Sequence, residues 1–278
     1  MTAMRLDSAT AEGVFVSVTV AAEPSTVWKF LSDGPLFAAW IGAFAGQGPQ
    51  EGTRIDPRIG GEVRVTYPGG HVALGKVTAM ETAKRIAFTW GYEQQTHGPA
   101  AGESNIEITL TPVTGGTLVH LVHTGLPTDE ARQGHLGGWK HYLSMLAREA
   151  AAMQHHEAAH RAMDAYIRAW AEPDAATRMK LLEASCAPNV RVRTSFACTD
   201  GLQPLSDHMA NGQKHMPGIV LRNDGQLQTC HGNVRAPWSL VGPDGKVLMR
   251  GVNFATLALN GKLETVVSFQ DVPGQQQP

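Results

Sequence analysis

A chain of 278 residues that is 42% hydrophobic and 17% charged has apolar material for about two cores, and too much for a disordered polymer. Its formal net charge is −2 and no basic block interrupts it, so neither nucleic acid nor an anionic membrane is an expected partner.

The chain opens with MTAMRLDSATAEG, which lacks the apolar core of a signal peptide. Val14, Val16, Val18 and Val20 then alternate with Phe15, Ser17 and Thr19, the period of a half-buried strand. Pro24 in a first turn starts a helix whose Val27, Phe30 and Leu31 face inward. A second short helix, Pro35 to Ile41, carries Phe37 and Trp40. The most apolar window, Pro35 to Ala45, is too short to span a bilayer. Strand patterns follow at 61–67, 72–80, 84–92, 104–111 and 118–123, separated by turns such as Pro68-Gly69-Gly70 and Gly115-Gly116. Leu136, Trp139, Leu143, Leu146, Ala150 and Met153 recur at three- and four-residue steps and mark one helix face. Met163, Tyr166, Ile167 and Trp170 repeat the pattern on a second segment. One helix thus closes a first domain, 1–153, and the next opens a second, 154–273, with 274–278 a polar tail.

Glu172-Pro173-Asp174 breaks that second helix, and 175–185 makes another. A strand at 190–194 and a short helix at 204–212 come next. Strands at 219–221, 226–241, 247–259 and 263–270 are divided by Asn223-Asp224-Gly225, Pro243-Asp244-Gly245 and Asn260-Gly261, which are hairpin signals. Cys186, Cys198 and Cys230 are odd in number and follow no metal-knuckle or disulfide spacing, so they read as free thiols in a reducing cytoplasm. The fold class is α+β: two tandem domains, each an antiparallel sheet wrapped on helices with an apolar pocket between.

The segments PSTVWKFLS, Trp40, IGGEVRV, ALGKVTAMETAKRIAFTW, GGTLVHLVHTGL and GGWKHYLSML occur in that order. They resemble the START-like superfamily, in the branch similar to the activator of the heat-shock protein 90 ATPase, over nearly all of the first half. The resemblance implies a helix-grip fold around a hydrophobic pocket, and no single activity. In the second half, YIRAWAEPDAATRMKLLEA, PLSDHM, HGNVRAPWSLVGPDGKVLMRGVNFATL and LNGKLETVVSF resemble the SnoaL-like polyketide-cyclase branch of the nuclear-transport-factor-2-like superfamily. That resemblance implies an α+β cone with an internal pocket, and a homodimer paired through the sheet face. Members include isomerases, cyclases, epoxide hydrolases and pocket proteins with no known reaction.

In the first half Trp40, Trp90, Trp139 and Tyr142 are the candidate pocket lining, with core filling as the competing reading. His120 and His123, three apart on a strand, point to opposite faces, which argues against a shared metal. His135 and His141 flank Gly137-Gly138 and read as helix-surface residues. His156-Glu157-Ala158-Ala159-His160 has the H-E-x-x-H form of a zinc helix, but no convincing third ligand follows. A solvated helix face explains it, and no metal is expected.

In the second half, relatives often place an acid/base carboxylate where this chain has Asn253, which cannot usefully accept a proton. Arg235 lacks the aspartates of an epoxide-hydrolase set. The ligand-contact candidates are Tyr166, Trp170, Asp207, His208, Trp238 and Asn253. His231 and Arg235 form the candidate catalytic pair, because they share parity on one strand and could hold an enolate or carboxylate. Pro237 warns of a bulge nearby. The glycine pairs lack the spacing of dinucleotide or phosphate loops, so no cofactor is expected.

The expected function is a cytoplasmic protein that binds a small hydrophobic molecule, with a pocket in each domain. The alternatives are a cyclase, isomerase or hydrolase acting in the second pocket through His231, and a chaperone-associated protein acting through the first domain.

Overall fold

The computed structural model describes residues 7–42, 50–94 and 98–271; the end of the Pro35–Ala45 window and the 274–278 tail lie outside them. The chain divides into two compact units, Met1–Met153 and Gln154–Pro278. Both are α+β, with sheets wrapped on helices. Among the described residues no helix is long and apolar enough to cross a membrane.

The first unit holds strands β1 (Ser8–Thr10) and β2 (Gly13–Val20), helices α1 (Pro24–Ser32) and α2 (Gly34–Trp40), and strands β3 (Arg54–Ile55) to β8. The latter are β4 (Glu62–Thr66), β5 (Val72–Glu81), β6 (Arg85–Trp90), β7 (Ser104–Val113) and β8 (Gly116–Thr124). Eight strands form one antiparallel sheet in the order β1-β2-β8-β7-β6-β5-β4-β3. Period-two alternation buries Phe88 and Trp90 on β6, Ile106 and Ile108 on β7, and Val119, Leu121 and His123 on β8. Helix α3 (Asp129–Ala171) adds Trp139, Leu143, Leu146 and Ala150 to that core. Glycine at position 75 of β5 has a local cause: a Cβ there would lie 1.7 Å from the Thr89 carbonyl oxygen. The Trp40 indole N–H donates to the Phe30 carbonyl at 2.8 Å and ties α2 to α1.

The two helical segments expected around residue 153 are one continuous helix of 43 residues. Its alanine-rich middle contains no proline, so nothing in the backbone chemistry stops it before Glu172-Pro173. Met153, placed on the inward stripe by periodicity, is 44% exposed.

The second unit takes Met163, Tyr166 and Ile167 from α3 into its own core. It continues with α4 (Ala175–Ser185), β9 (Cys186–Arg193), β10 (Cys198–Asp200), α5 (Leu202–His215), β11 (Val220–Asn223) and β12 (Gln228–Cys230). It ends with β13 (Asn233–Val241), β14 (Val247–Leu257) and β15 (Leu263–Gln270). Asp174 caps α4 by accepting from the Thr177 amide at 2.8 Å. Buried Arg178 donates to Ser206 Oγ at 3.0 Å and to the Glu172 carbonyl at 2.8 Å, so it ties the end of α3 and α5 to α4. These bonds give the Trp-Ala-Glu-x-Asp…Arg pattern its physical meaning.

The sheet order is β10-β9-β15-β14-β13-β11, with β12 also on β13. One pair departs from the expected antiparallel meander: β9 runs parallel to β15. The expected single strand 226–241 is a hairpin. His231 and Gly232 take φ of 48° and 78°, the two positive values of a tight hairpin turn, and Cys230 pairs with Asn233. Pro237 sits where β13 passes the gap between β11 and β12, so its missing donor costs no ladder bond.

Candidate functional site

Each unit has a cavity. In the first, a space of about 580 Å³ is lined by Tyr67, Trp90, Tyr92, His135, Trp139 and Tyr142, with Thr128 and Glu130 from the start of α3. Trp90, Trp139 and Tyr142 were expected there. Trp40 does not line it, because its ring packs edge-on to Phe37, 5.7 Å between centroids, and its N–H is used inside the helix pair.

Two histidines are locked in place, His123 behind the aromatic wall and His135 within it. The Trp139 indole N–H donates to His123 Nδ1 at 3.0 Å, which makes that nitrogen an acceptor. His123 Nε2–H therefore donates to Ser104 Oγ at 2.9 Å, and the Ser104 hydroxyl donates to the Trp90 carbonyl at 2.8 Å. His135 Nδ1–H donates to the Ala131 carbonyl at 2.7 Å, so its Nε2 accepts the Tyr92 hydroxyl at 3.2 Å. The two rings meet edge to face at 4.8 Å. Burial lowers the His123 pKa to about 2, with the neighbouring His135 adding to the shift. Burial also lowers that of His135, against the opposing pull of the Ala131 carbonyl. Both are neutral, and His135 is a buried wall residue rather than the surface residue that its place beside the glycine pair suggests. Burial likewise pushes the Tyr142 hydroxyl up to about 12.

The second cavity, about 480 Å³, lies among α3, α5 and the sheet. Its wall includes Tyr166, Trp170, His208, Trp238 and Asn253, five of the expected contacts. Met216, Ile219, Leu221, Leu240 and Met249 make much of the rest apolar. Among its described lining residues there is no Asp, Glu, Lys or Arg. His208 packs edge-on against Trp170 at 5.5 Å, and burial lowers its pKa, which favours the neutral ring. Asn253 points inward from β14, 3% exposed, and its amide reaches Met163 Sδ at 4.0 Å. The Trp238 indole N–H is buried without a partner. A donor left so costs about 1–3 kcal/mol unless something accepts it.

Three expected site residues are placed elsewhere. His231 occupies the β12–β13 turn and Arg235 the exposed face of β13, opposite Gln228. The parity argument fails because the turn at His231-Gly232 separates the two residues. Asp207 is exposed on α5 and accepts from Gln203 at 2.9 Å. His156 and His160 are exposed with rings 5.1 Å apart, and Glu157 pairs with Arg161 at 3.3 Å. No group of three or more metal-ligating side chains gathers among the described residues.

Tyr67 and Tyr92 were missed, although strand parity could have found them: Tyr67 follows Val63 and Val65, and Tyr92 follows Phe88 and Trp90, at even spacing. His135 lies four residues before Trp139 on the same helical face.

Residues 21–151 match the family model described as Activator of Hsp90 ATPase homolog 1-like protein. A solved structure from Agrobacterium tumefaciens, described as of the SnoaL-like family, is 26% identical, with 43% of this chain and 99% of that chain covered at a TM-score of 0.39. A Rhodobacter sphaeroides protein is 25% identical, with 50% and 91% covered at 0.41. A Rhizobium leguminosarum protein is 18% identical, with 50% and 94% covered at 0.42. No curated protein matches. Residues 21–151 are thus similar to the Activator of Hsp90 ATPase homolog 1-like family, and a second α+β unit follows them.

Proposed function

We propose that the chain is a small-molecule-binding protein, and that its second unit takes a neutral, largely apolar ligand with a hydrogen-bond acceptor. The observation that carries this reading is the buried, unpartnered Trp238 N–H in an apolar cavity with the under-used Asn253 amide. A ligand carbonyl or ether oxygen would satisfy a donor that otherwise costs the fold stability. Binding is favoured over catalysis because the described wall offers no carboxylate to work with His208, and His231 stands outside it. Among the described residues of the first unit, Ile59 and Met153 are the large hydrophobic side chains left exposed. That favours an internal pocket over a chaperone contact for this unit.

Exposed Phe254 and Phe269 pack at 6.1 Å on adjacent strands β14 and β15. We assign that apolar patch to self-association, which sedimentation of Phe269→Ser would test. The three free cysteines support a reducing, cytoplasmic setting.

Native mass spectrometry of protein from its own host tests the binding role. A retained small molecule, lost in Trp238→Phe and Asn253→Leu, is the expected result. An empty second unit, or a ligand held equally by both variants, would overturn the assignment.

A further inference from the structure

The first cavity is walled by aromatic rings in a closed circuit. Centroid separations are 6.3 Å for Tyr67–Tyr92, 6.4 Å for Tyr92–Trp90, 5.7 Å for Trp90–Trp139, 6.3 Å for Trp139–Tyr142 and 6.2 Å for Tyr142–Tyr67. All five side chains line the same space. Trp90 and Trp139 are 1% and 3% exposed and back the wall, so the rings that can meet a ligand within cation–π reach are those of half-buried Tyr67, Tyr92 and Tyr142. We infer that this ring of aromatics is a binding site for an organic cation of the quaternary ammonium class. The inference rests on reading the first unit as a ligand-binding unit, and it names the class of ligand.

Three further observations favour a cation. The exposed Glu130 carboxylate also lines the cavity, and no Lys or Arg is among its described lining residues. His135 contributes no opposing charge: its Nδ1–H is held by the Ala131 carbonyl, and protonation at Nε2 would break the bond from Tyr92. The hydroxyls are partly spent on the wall itself, with Tyr67 bonded to Tyr92 and Tyr92 to His135. An ammonium group that must hydrogen-bond would find few free acceptors, whereas N-methyl groups need only ring faces.

The test titrates the full chain with choline chloride at fixed ionic strength. In parallel it uses the neutral isostere of choline in which carbon replaces nitrogen. The readout is the assigned indole N–H signals of Trp90 and Trp139. Saturable choline shifts with the isostere about tenfold weaker are expected. Tyr142→Phe keeps the ring and should bind as the parent does. Tyr142→Leu should lose about tenfold, and Glu130→Gln a few-fold with weaker salt dependence. Circular dichroism confirms that each variant is folded. Equal binding of the two probes, or binding of the neutral one alone, overturns the cation site while leaving a ligand-binding first unit standing. Silence of both indole signals toward both probes overturns the cation site. Silence toward an apolar panel as well would remove the ligand-binding reading of this unit.

Discussion

Acid should weaken the first unit through His123, and the effect can be worked from the structure. Burial holds the imidazole pKa near 2 in the folded chain, whereas in the unfolded chain it returns to about 6.5. The unfolded state therefore takes up the proton first as pH falls. Stability is full above about pH 6.5 and drains below it, at up to ~1.4 kcal/mol per pH unit. At pH 5 the His123 contribution alone is a loss of about 2 kcal/mol, or roughly 6 °C in Tm for a unit of this size. His135, also lowered by burial, pulls in the same direction. The assay is urea unfolding at pH 7.5 and pH 5 for the parent and for His123→Gln. Glutamine can accept from Trp139 and donate to Ser104, but it does not titrate. The variant should lose about 2 kcal/mol less than the parent between those pH values. An identical acid loss in both proteins would refute the reasoning, as would a His123 signal titrating near pH 6.5 in the folded chain.

Gly251→Ala should destabilise the second unit by about 1–3 kcal/mol, because overpacking forces backbone or ring to move. The new Cβ would lie 2.1 Å from the Phe269 carbonyl oxygen and 2.5 Å from Trp238 Cζ2; an unchanged urea midpoint would contradict this. Arg178→Met should cost roughly 1–3 kcal/mol, since it removes the buried donor to Ser206 Oγ and leaves the Glu172 carbonyl with Gln213 alone; thermal unfolding reads it directly. Ellman titration of the native chain should find Cys198 and Cys230 promptly, and Cys186 only after unfolding. Cys186 is buried with its thiol pushed up to about 11, and prompt reaction at that residue would count against this packing.

Much of the fold is legible in local chemistry. Alternation along 104–111 and 118–123 marks the inner face of a sheet, and the same alternation, extended to Tyr67 and Tyr92, marks the cavity wall. Three- and four-residue spacing marks Trp139 and Tyr166 as inward helix positions. The site was less legible where a pattern had two solutions. A run such as 226–241 reads as one strand or as a hairpin, and only the positive φ of His231 and Gly232 divides it. That division moves His231 from a cavity to a turn. Conversely, His135 looks like an ordinary helix-surface residue until β8 and Tyr92 are packed against it.

The sequence by itself determined the element types, the inward face of each strand and helix, and the two α+β units, because these follow from periodicity and burial within a dozen residues. Tertiary structure alone decided what meets what: the parallel β9–β15 pair, the neutral state of His123 and His135, the closed aromatic ring, and the unpartnered Trp238 donor. Each of these depends on residues far apart in the chain, whose pairing is set by which surfaces exclude water together and not by local spacing.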